Sequence, residues 1–201
     1  MRGFEQMPWF YDGFMWLMEA TGLGRWRRLL LAGARGRTLE VGSGTGRNLP
    51  LYEPGVRVVA VDLHIEVMEA AGRRAPAVPR VLASAEALPF RAGSFDTVVS
   101  SLVFCSVGDP RRGLAEVRRV LRPGGLLRMM EHVRARGRLH GRFQDWSQPA
   151  WTWVTGGCRP NRDTESEVEA AGFSIEREDR RESGLMRLFS ARPSTGGEVR
   201  S

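Results

Sequence analysis

The chain has 201 residues, with 30 basic and 23 acidic side chains and a formal net charge of +7. This length most simply makes one domain with a sizeable hydrophobic core. Every basic residue is an arginine, and the arginines are interleaved with acids as on a solvated surface. The pattern therefore does not favour a nucleic-acid-binding arm, although a basic surface suits anionic partners such as lipid headgroups or RNA.

The sequence shows no sign of a targeting or membrane-spanning segment. The first residues mix an arginine and acids with aromatic side chains, and no apolar run is long enough to cross a bilayer. The two cysteines, Cys105 and Cys158, form no C-x-x-C pair and suggest no disulfide framework. We therefore expect a cytoplasmic protein with reduced thiols. Residues 194–201 are small and polar, which predicts a frayed tail.

Apolar and aromatic side chains at spacings of three and four occupy residues 4–31. This spacing predicts two helices separated near Gly22. They could pack on the sheet edge, cover a ligand as a lid, or lie in a membrane interface, which the arginines around Trp26 would suit. We assign residues 1–35 to a helical lid.

Residues 38–62 predict the unit around which the chain is organised. The runs Thr38–Val41 and Val56–Val61 are short, apolar and bounded by turn residues, as buried strands are. Glycines at positions 42, 44 and 46 follow the first run, and Asp62 ends the second. The stretch 47–55 between them is long enough for a short crossover helix.

Each part of this unit has a physical reason to meet a nucleoside. Gly42 and Gly44 permit a tight turn and remove the Cβ atoms that would obstruct a ligand at the strand end. Gly46 is expected to let the following helix pack closely, and the amino end of that helix would offer free N–H groups. Asp62 lies where an acid can accept both ribose hydroxyls.

The glycine spacing distinguishes between cofactors. A dinucleotide fingerprint G-x-G-x-x-G would place its third glycine where this chain has Arg47. The sequence is instead G-x-G-x-G, with Glu40 two residues before it. This pattern resembles the first motif of the class I S-adenosylmethionine-dependent methyltransferases, and the resemblance implies that S-adenosylmethionine is the cofactor. An ordinary strand-to-helix turn is the alternative interpretation.

Strands and helices alternate along the rest of the chain. The pattern predicts helices at Ile65–Arg74, Asp109–Leu121 and 163–171, and strands at Pro79–Ala83, Ser94–Val103, Leu126–Met130, Phe173–Asp179 and Leu185–Ala191. We predict an α/β fold with a doubly wound, mostly parallel, seven-stranded Rossmann-like sheet, one antiparallel strand and helices on both faces. Residues 1–193 would form a single domain.

Further resemblances identify the residues expected to contact the cofactor. Residues 95–125 resemble the small-molecule methyltransferases that include quinone-biosynthesis enzymes, and residues 83–90 resemble the adenine-holding loop of that family, with Ser84 in place of the usual aspartate. The pair Tyr11–Asp12 matches a family pair that often touches the cofactor. The resemblance implies a cofactor site formed by Tyr11, Glu40, Gly42, Ser43, Gly44, Asp62, Leu63, Ser84, Ala85, Glu86, Ser101 and Leu102. Glu86 could instead be a surface charge.

The irregular segment 131–162 is predicted to cover the substrate. Its glutamate–histidine pair, tryptophans and Gly157–Cys158 resemble a subgroup that includes alkyl-thiol and phospholipid N-methyltransferases. His132 is the candidate catalytic base and substrate contact, or else a core histidine. Trp146 and Trp151 are candidate substrate-binding residues, or else core aromatics. Glu131 and Asp145 are further acids within this segment.

The remaining titratable residues do not predict a metal site. No histidines and carboxylates have metal-ligand spacing, so no metal is expected. Cys105 is interpreted as a small buried hydrophobe and Cys158 as a packing residue. His64 lies against the nucleoside or begins a helix, and His140 is assigned to the surface.

These features together predict a methyltransferase acting on a small, fairly apolar acceptor. Thiol, amine, phenol and lipid headgroup all remain open, with no nucleic acid expected and a peripheral membrane contact not excluded. Methyl transfer needs alignment more than a nucleophilic side chain, and alignment can lower a barrier by about 7 to 11 kcal/mol. An RNA methyltransferase and a non-catalytic nucleoside-binding module are the alternatives.

Overall fold

The computed structural model describes residues 22–132, 137, 142, 144–146, 148–149, 152, 157–159, 161–184 and 186–194. The first predicted N-terminal helix, Tyr11, Trp151, His140 and the tail 195–201 lie outside these residues. No helix among the described residues is both long and apolar enough to cross a membrane.

The described elements follow the predicted alternation. The helices are α1 (Gly24–Leu31), α2 (Ile65–Arg74), α3 (Pro110–Val120) and α4 (Thr164–Ala170), and the strands are β1 (Arg37–Val41), β2 (Arg57–Asp62), β3 (Arg80–Leu82), β4 (Phe95–Ser101), β5 (Leu121–His132), β6 (Phe173–Ser183) and β7 (Met186–Pro193). Asp109 caps the amino end of α3: its carboxylate accepts a hydrogen bond from the Arg112 amide. Pro110 occupies the first turn of this helix.

Within the described part of the chain, the strands form one seven-stranded sheet in the order β3-β2-β1-β4-β5-β7-β6. Strands β1 to β5 pair in parallel, whereas β7 is antiparallel to both β5 and β6. This arrangement confirms the predicted fold class. Because the strand order reverses between β1 and β4, their carboxyl ends open a crevice at the switch point.

Adjacent residues of β4 show that helices cover both faces of the sheet. Val98 belongs to the apolar cluster that includes Leu114 of α3, whereas Val99 packs in the cluster that includes Leu30 of α1. Neighbouring side chains of a strand point to opposite faces, so the two clusters lie on opposite sides. Both valines are fully buried, as is typical of a strand covered on both faces.

The structure differs from the sequence prediction at the first crossover. The helix expected in residues 47–55 is a single 3₁₀ turn, Leu49–Leu51. Pro50 and the nearby Gly55 allow little regular helix here, and Gly55 has a φ of +93°. The predicted binding by a helix amino end therefore loses its basis, and the glycine turn itself must provide the ligand contacts.

Arg128 of β5 attaches α1 to the sheet. Its guanidinium is 6% exposed and donates hydrogen bonds to the carbonyls of Leu30 (2.6 Å) and Leu29 (2.8 Å) at the carboxyl end of the helix. It also donates to the Ser190 hydroxyl and pairs with Asp179 across the sheet. A buried cation thus satisfies carbonyls that the last turn of a helix leaves without partners.

Replacing Arg128 by leucine should destabilise the fold. The change leaves two helix carbonyls without their donors and should lower the free energy of unfolding by about 2 to 4 kcal/mol. Urea unfolding followed by circular dichroism measures the loss. The matched control is Arg111→Leu, which breaks the exposed ion pair with Glu167 and should cost less than about 1 kcal/mol. Equal effects of the two changes would contradict the anchoring role.

Candidate functional site

The glycine turn after β1 opens towards the crevice at Gly44. Gly42 and Gly44 have φ angles of +65° and +53°, which side chains rarely adopt. A Cβ at Gly44 would meet no atom within 4 Å, so this position borders open space. A Cβ at Gly42 would lie 2.3 Å from Val103 Cγ2. Gly44 thus provides the room for a ligand, whereas Gly42 allows the loop after β4 to approach.

Gly46 has a different packing role from the expected one. Its φ is +77°, and a Cβ there would lie 2.9 Å from the Cα of Ala71 in α2. The third glycine therefore lets the turn touch the helix that follows β2, not a helix that follows the turn. Ser43, between the glycines, is buried and donates its hydroxyl to the sulfur of Met68 in α2 (3.6 Å).

Asp62 lies beside the glycine turn at the carboxyl end of β2. One carboxylate oxygen accepts a hydrogen bond from the Gly44 amide (2.8 Å), and the other accepts from the His64 amide (3.1 Å). Each carboxylate oxygen can accept more than one hydrogen bond, so acceptor capacity remains for ribose hydroxyls. The neighbouring Leu63 is 60% exposed and offers an apolar surface next to this carboxylate.

The carboxyl end of β4 carries a strained backbone and a buried hydroxyl without a partner. Leu102 has a φ of +60°, the only positive φ of a non-glycine residue among the described residues. Its amide donates to the Met130 carbonyl (2.8 Å), which holds this conformation. The Ser101 hydroxyl is buried and has no hydrogen-bond partner within the described residues. Backbone strain and orphaned polar groups of this kind occur at binding sites.

The predicted adenine loop is folded by its own polar residues. The Ser84 hydroxyl accepts from the Glu86 amide (3.1 Å), and the Glu86 carboxylate accepts from the Asp109 amide (3.1 Å) at the start of α3. Ala85 is half-buried against the main apolar cluster. Glu86 thus connects the loop to α3, and the cofactor contacts assigned to these residues stay predictions.

Glu40 is part of a buried polar network that connects the glycine turn to α1. Its side chain is 1% exposed and accepts a hydrogen bond from the Asn48 amide group (3.0 Å), which in turn accepts one from Arg27 (2.7 Å). Burial raises the pKa of the Glu40 carboxyl to about 7, against the opposing influence of nearby Tyr52, Asn48 and Arg27. In the structure, Glu40 therefore faces Asn48 in this buried network. Its predicted contact with the cofactor stays a prediction.

Glu131 fixes the loop that follows β4. The side chain is fully buried at the carboxyl end of β5, and its carboxylate accepts hydrogen bonds from the amides of Val103 (3.0 Å), Phe104 (3.0 Å) and Cys105 (3.4 Å). Burial raises the pKa of this carboxyl, although the amides oppose the shift. Glu131 is one of the acids in the segment predicted to cover the substrate, but its oxygens are already engaged with the loop.

The structure brings His132 together with both cysteines. The thiol of Cys158 donates to the sulfur of Cys105 at 3.5 Å, and a ring nitrogen of His132 lies within 4.8 Å of both sulfurs. The thiols are 1% and 4% exposed, and His132 is half-buried. No local sequence pattern indicates this cluster, because 53 positions separate the two cysteines.

The other candidate substrate residues are only partly described. Trp146 is 79% exposed, so it is not a core residue. Asp145 accepts a hydrogen bond from Asn161 (3.0 Å). Trp151 lies outside the described residues.

Comparison with known proteins identifies the family to which the chain is related. The family model described as "Methyltransferase domain" matches residues 39–129, which contain the end of β1, all of β2 to β4 and most of β5. Thiol S-methyltransferase TMT1B of Homo sapiens is 42% identical over 154 residues, which cover 72% of this chain and 63% of that protein. Demethylmenaquinone methyltransferase of Renibacterium salmoninarum is 38% identical over 112 residues, which cover 53% of this chain and 47% of that protein. The chain thus spans less than two thirds of these relatives.

Solved structures show the same fold. A methyltransferase structure from Thermotoga maritima, described as a possible histamine N-methyltransferase, superposes with a TM-score of 0.71 at 21% identity. The match covers 95% of this chain and all of that one. At this identity the likeness concerns the fold alone.

The raised pKa of Glu40 predicts a pH-dependent stability. The unfolded chain ionises this carboxyl near pH 4.5, whereas the folded chain keeps it protonated until about pH 7. Its stabilising contribution is therefore complete below pH 4.5 and is lost as the pH rises to about 7. Glu40→Gln removes the titration, so the wild type should lose about 3 kcal/mol relative to this variant over that range.

Urea unfolding of both proteins at a series of pH values measures this difference. Glu116→Gln is a control whose difference in stability from the wild type should change with pH in the opposite direction. In the wild type, the hydrogen bond from Arg119 lowers the pKa of the Glu116 carboxyl. Its contribution is present above pH 4.5 and is lost as the pH falls through its lowered pKa. If the free energies of unfolding of the wild type and of Glu40→Gln differ by a constant amount between pH 4.5 and 7, the raised pKa of Glu40 is contradicted.

Proposed function

The chain belongs to the class I S-adenosylmethionine-dependent methyltransferases, and we propose that it transfers the methyl group of this cofactor to the sulfur atom of a small, fairly apolar thiol. The family implies the cofactor, and the described crevice has features that fit it. The identity of the acceptor is our proposal. The activity as a whole is also our proposal, because the chain covers only 63% of human TMT1B.

The fit to the methyl donor rests on three features at the carboxyl ends of neighbouring strands. Gly44 borders open space, Asp62 has acceptor capacity beside it, and the Ser101 hydroxyl is buried without a partner among the described residues. The ribose hydroxyls of a bound nucleoside would donate hydrogen bonds to the Asp62 carboxylate. A polar group of the same ligand would form a hydrogen bond with the Ser101 hydroxyl. When bound, the cofactor supplies an activated sulfonium methyl group. The residues then need only align the acceptor and exclude water.

The thiol acceptor is supported first by the relatives. The human proteins TMT1B and TMT1A, both described as thiol S-methyltransferases, are 42% and 40% identical over 72% and 68% of this chain. The quinone methyltransferase match is shorter, at 53% of the chain. The thiol methyltransferase matches therefore cover more of the chain than the quinone methyltransferase match does.

The chemistry of the site agrees with a thiol. A phenol or ammonium acceptor needs a strong base, and the buried Glu131 carboxylate is occupied by three loop amides. A thiol is already partly ionised near neutral pH and needs less assistance. The single observation that carries the methyltransferase proposal is that Gly44, Asp62 and Ser101 lie at the carboxyl ends of the neighbouring strands β1, β2 and β4.

Methyl transfer from labelled S-adenosylmethionine tests the acceptor class. The full chain should methylate a small apolar alkyl thiol and show at least about 10-fold lower kcat/KM for the matched alcohol and amine, because only the thiol ionises readily at neutral pH. A panel that also contains a phenol and a quinol compares the alternatives. Activity confined to the phenol, the quinol or the amine would overturn the thiol proposal and leave the methyltransferase assignment intact.

Asp62→Ala should weaken cofactor binding. The change removes the carboxylate expected to accept the ribose hydroxyls, and charged hydrogen bonds contribute about 1.5 to 3 kcal/mol, so the Kd for S-adenosylhomocysteine should rise by at least about 10-fold. Isothermal titration measures the Kd. Glu53→Ala, an exposed acid on the loop before β2, is the control and should bind normally. Unchanged affinity in a folded Asp62→Ala protein would remove the ribose assignment.

A further inference from the structure

We propose that Cys105, His132 and Cys158 form a zinc site whose open fourth position binds the sulfur of the acceptor. The inference rests on the proposed thiol methyltransferase activity for its catalytic role, but the metal site itself stands on the geometry of the three side chains. The local sequence spacing gave no reason to expect a metal.

The ligand set is suited to zinc. Two sulfurs and an imidazole nitrogen are typical zinc ligands, and three protein ligands with one open position are typical of catalytic rather than structural zinc. The three ligand atoms converge within 4.8 Å of one another, without a carboxylate in the group. Soft sulfur ligands exclude magnesium and calcium, which prefer oxygen.

The distances need little adjustment. Two sulfurs that each lie about 2.3 Å from a tetrahedral zinc are about 3.8 Å apart, and the observed separation is 3.5 Å. A nitrogen and a sulfur on the same zinc are about 3.5 Å apart, so the imidazole would approach by at most about 1.3 Å. His132 ends β5, and its half-exposed ring can turn by this amount.

Backbone contacts hold the two cysteines in place. The Arg159 amide donates to the Cys105 carbonyl (2.8 Å), and the Arg162 guanidinium donates to the carbonyls of Phe104 (2.6 Å) and Val107 (2.8 Å). These bonds fix the segment that contains Cys158 against the loop that contains Cys105. From the other side, Glu131 accepts from the Cys105 amide. A site whose ligands are positioned by their surroundings in this way needs little reorganisation to take a metal.

The position of the cluster gives the metal a function. Cys105 follows the strained Leu102 and the orphaned Ser101 hydroxyl at the end of β4, and His132 ends the adjacent strand β5. The cluster therefore lies at the carboxyl edge of the sheet, beside the strand ends that border the crevice.

The proposed methyl transfer consists of one deprotonation and one displacement. The acceptor thiol loses its proton to solvent as its sulfur fills the open zinc position. A lone pair of that sulfur then forms the new bond to the methyl carbon while the carbon–sulfonium bond breaks and its electrons return to the donor sulfur. The products are a methyl thioether, which binds zinc weakly and leaves, and S-adenosylhomocysteine. No oxidant or reductant is needed.

Metal binding is tested first without any assay of activity. The full chain is stripped with a chelator under reductant and titrated with Co²⁺ as a spectroscopic substitute for zinc. We expect stoichiometric binding with an intense thiolate-to-cobalt charge-transfer absorption and tetrahedral d–d bands. Addition of the alkyl thiol should change both, because its sulfur enters the open position. Absence of the charge-transfer absorption in the wild-type chain overturns the proposal, and so does a Cys105–Cys158 disulfide that persists under reductant.

Variants test which residues bind the metal. Cys105→Ser, Cys158→Ser and His132→Gln should each weaken zinc binding by more than about 100-fold, since loss of an outer-shell partner alone costs roughly 10- to 100-fold. His140→Gln, at the histidine assigned to the surface from the sequence, is the matched control and should bind zinc as the wild type does. Unaltered S-adenosylhomocysteine binding shows that each variant is folded. Unchanged zinc affinity in the three ligand variants overturns the assignment.

Activity then separates this inference from the proposed function. Removal of zinc should lower kcat/KM for the thiol by more than about 100-fold, and added zinc should restore it. If the metal-free chain methylates thiols at the full rate, the zinc proposal fails and the proposed function stands. If the chain binds zinc and its cobalt spectrum responds to thiol, yet no thiol is methylated, the proposed function fails and the site stands.

Discussion

The buried Glu131 carboxylate holds the loop after β4, and both halves of the candidate site are built on that loop. Three successive amides, from Val103 to Cys105, point at its oxygens. Val103 then fits against the bare backbone of Gly42, and Cys105 meets Cys158. Because a buried carboxylate is costly without partners, these amides are confined to one arrangement. The loop therefore sets the distance between the glycine turn and the cysteine pair.

Buried polar groups also connect the helical segment α1 to the site. Arg27 of α1 donates to Asn48, which donates to Glu40 directly before the glycine turn. At the other end of the helix, Arg128 donates to its last carbonyls. The helix is thus fastened to the sheet by directional bonds at both ends as well as by apolar contacts.

The main elements could be predicted because their signals are local. Short apolar runs between turn residues gave β1 and β2, and helix α2 was predicted with its observed bounds, Ile65–Arg74. The prediction of a crossover helix after the glycine turn was wrong, because Pro50 and Gly55 leave only a 3₁₀ turn there. The length of the segment alone did not indicate its structure. Strand β5 begins earlier than expected, at Leu121, because this residue pairs with Phe95 across a bulge that a sequence pattern does not reveal. Both errors lie at junctions between elements, where tertiary pairing decides the outcome.

The fold class, the glycine turn and the acid at the end of β2 could be predicted from the residues alone, because strand periodicity, glycine spacing and an adjacent carboxylate all act within about twenty residues. The three-dimensional arrangement was needed to show that Gly42 allows the Val103 contact and Gly46 the α2 contact, that Glu131 anchors a loop, and that Cys105, His132 and Cys158 meet. Parallel strands bring residues far apart in the chain to the same edge of the sheet, and no local pattern records which side chains will face one another there.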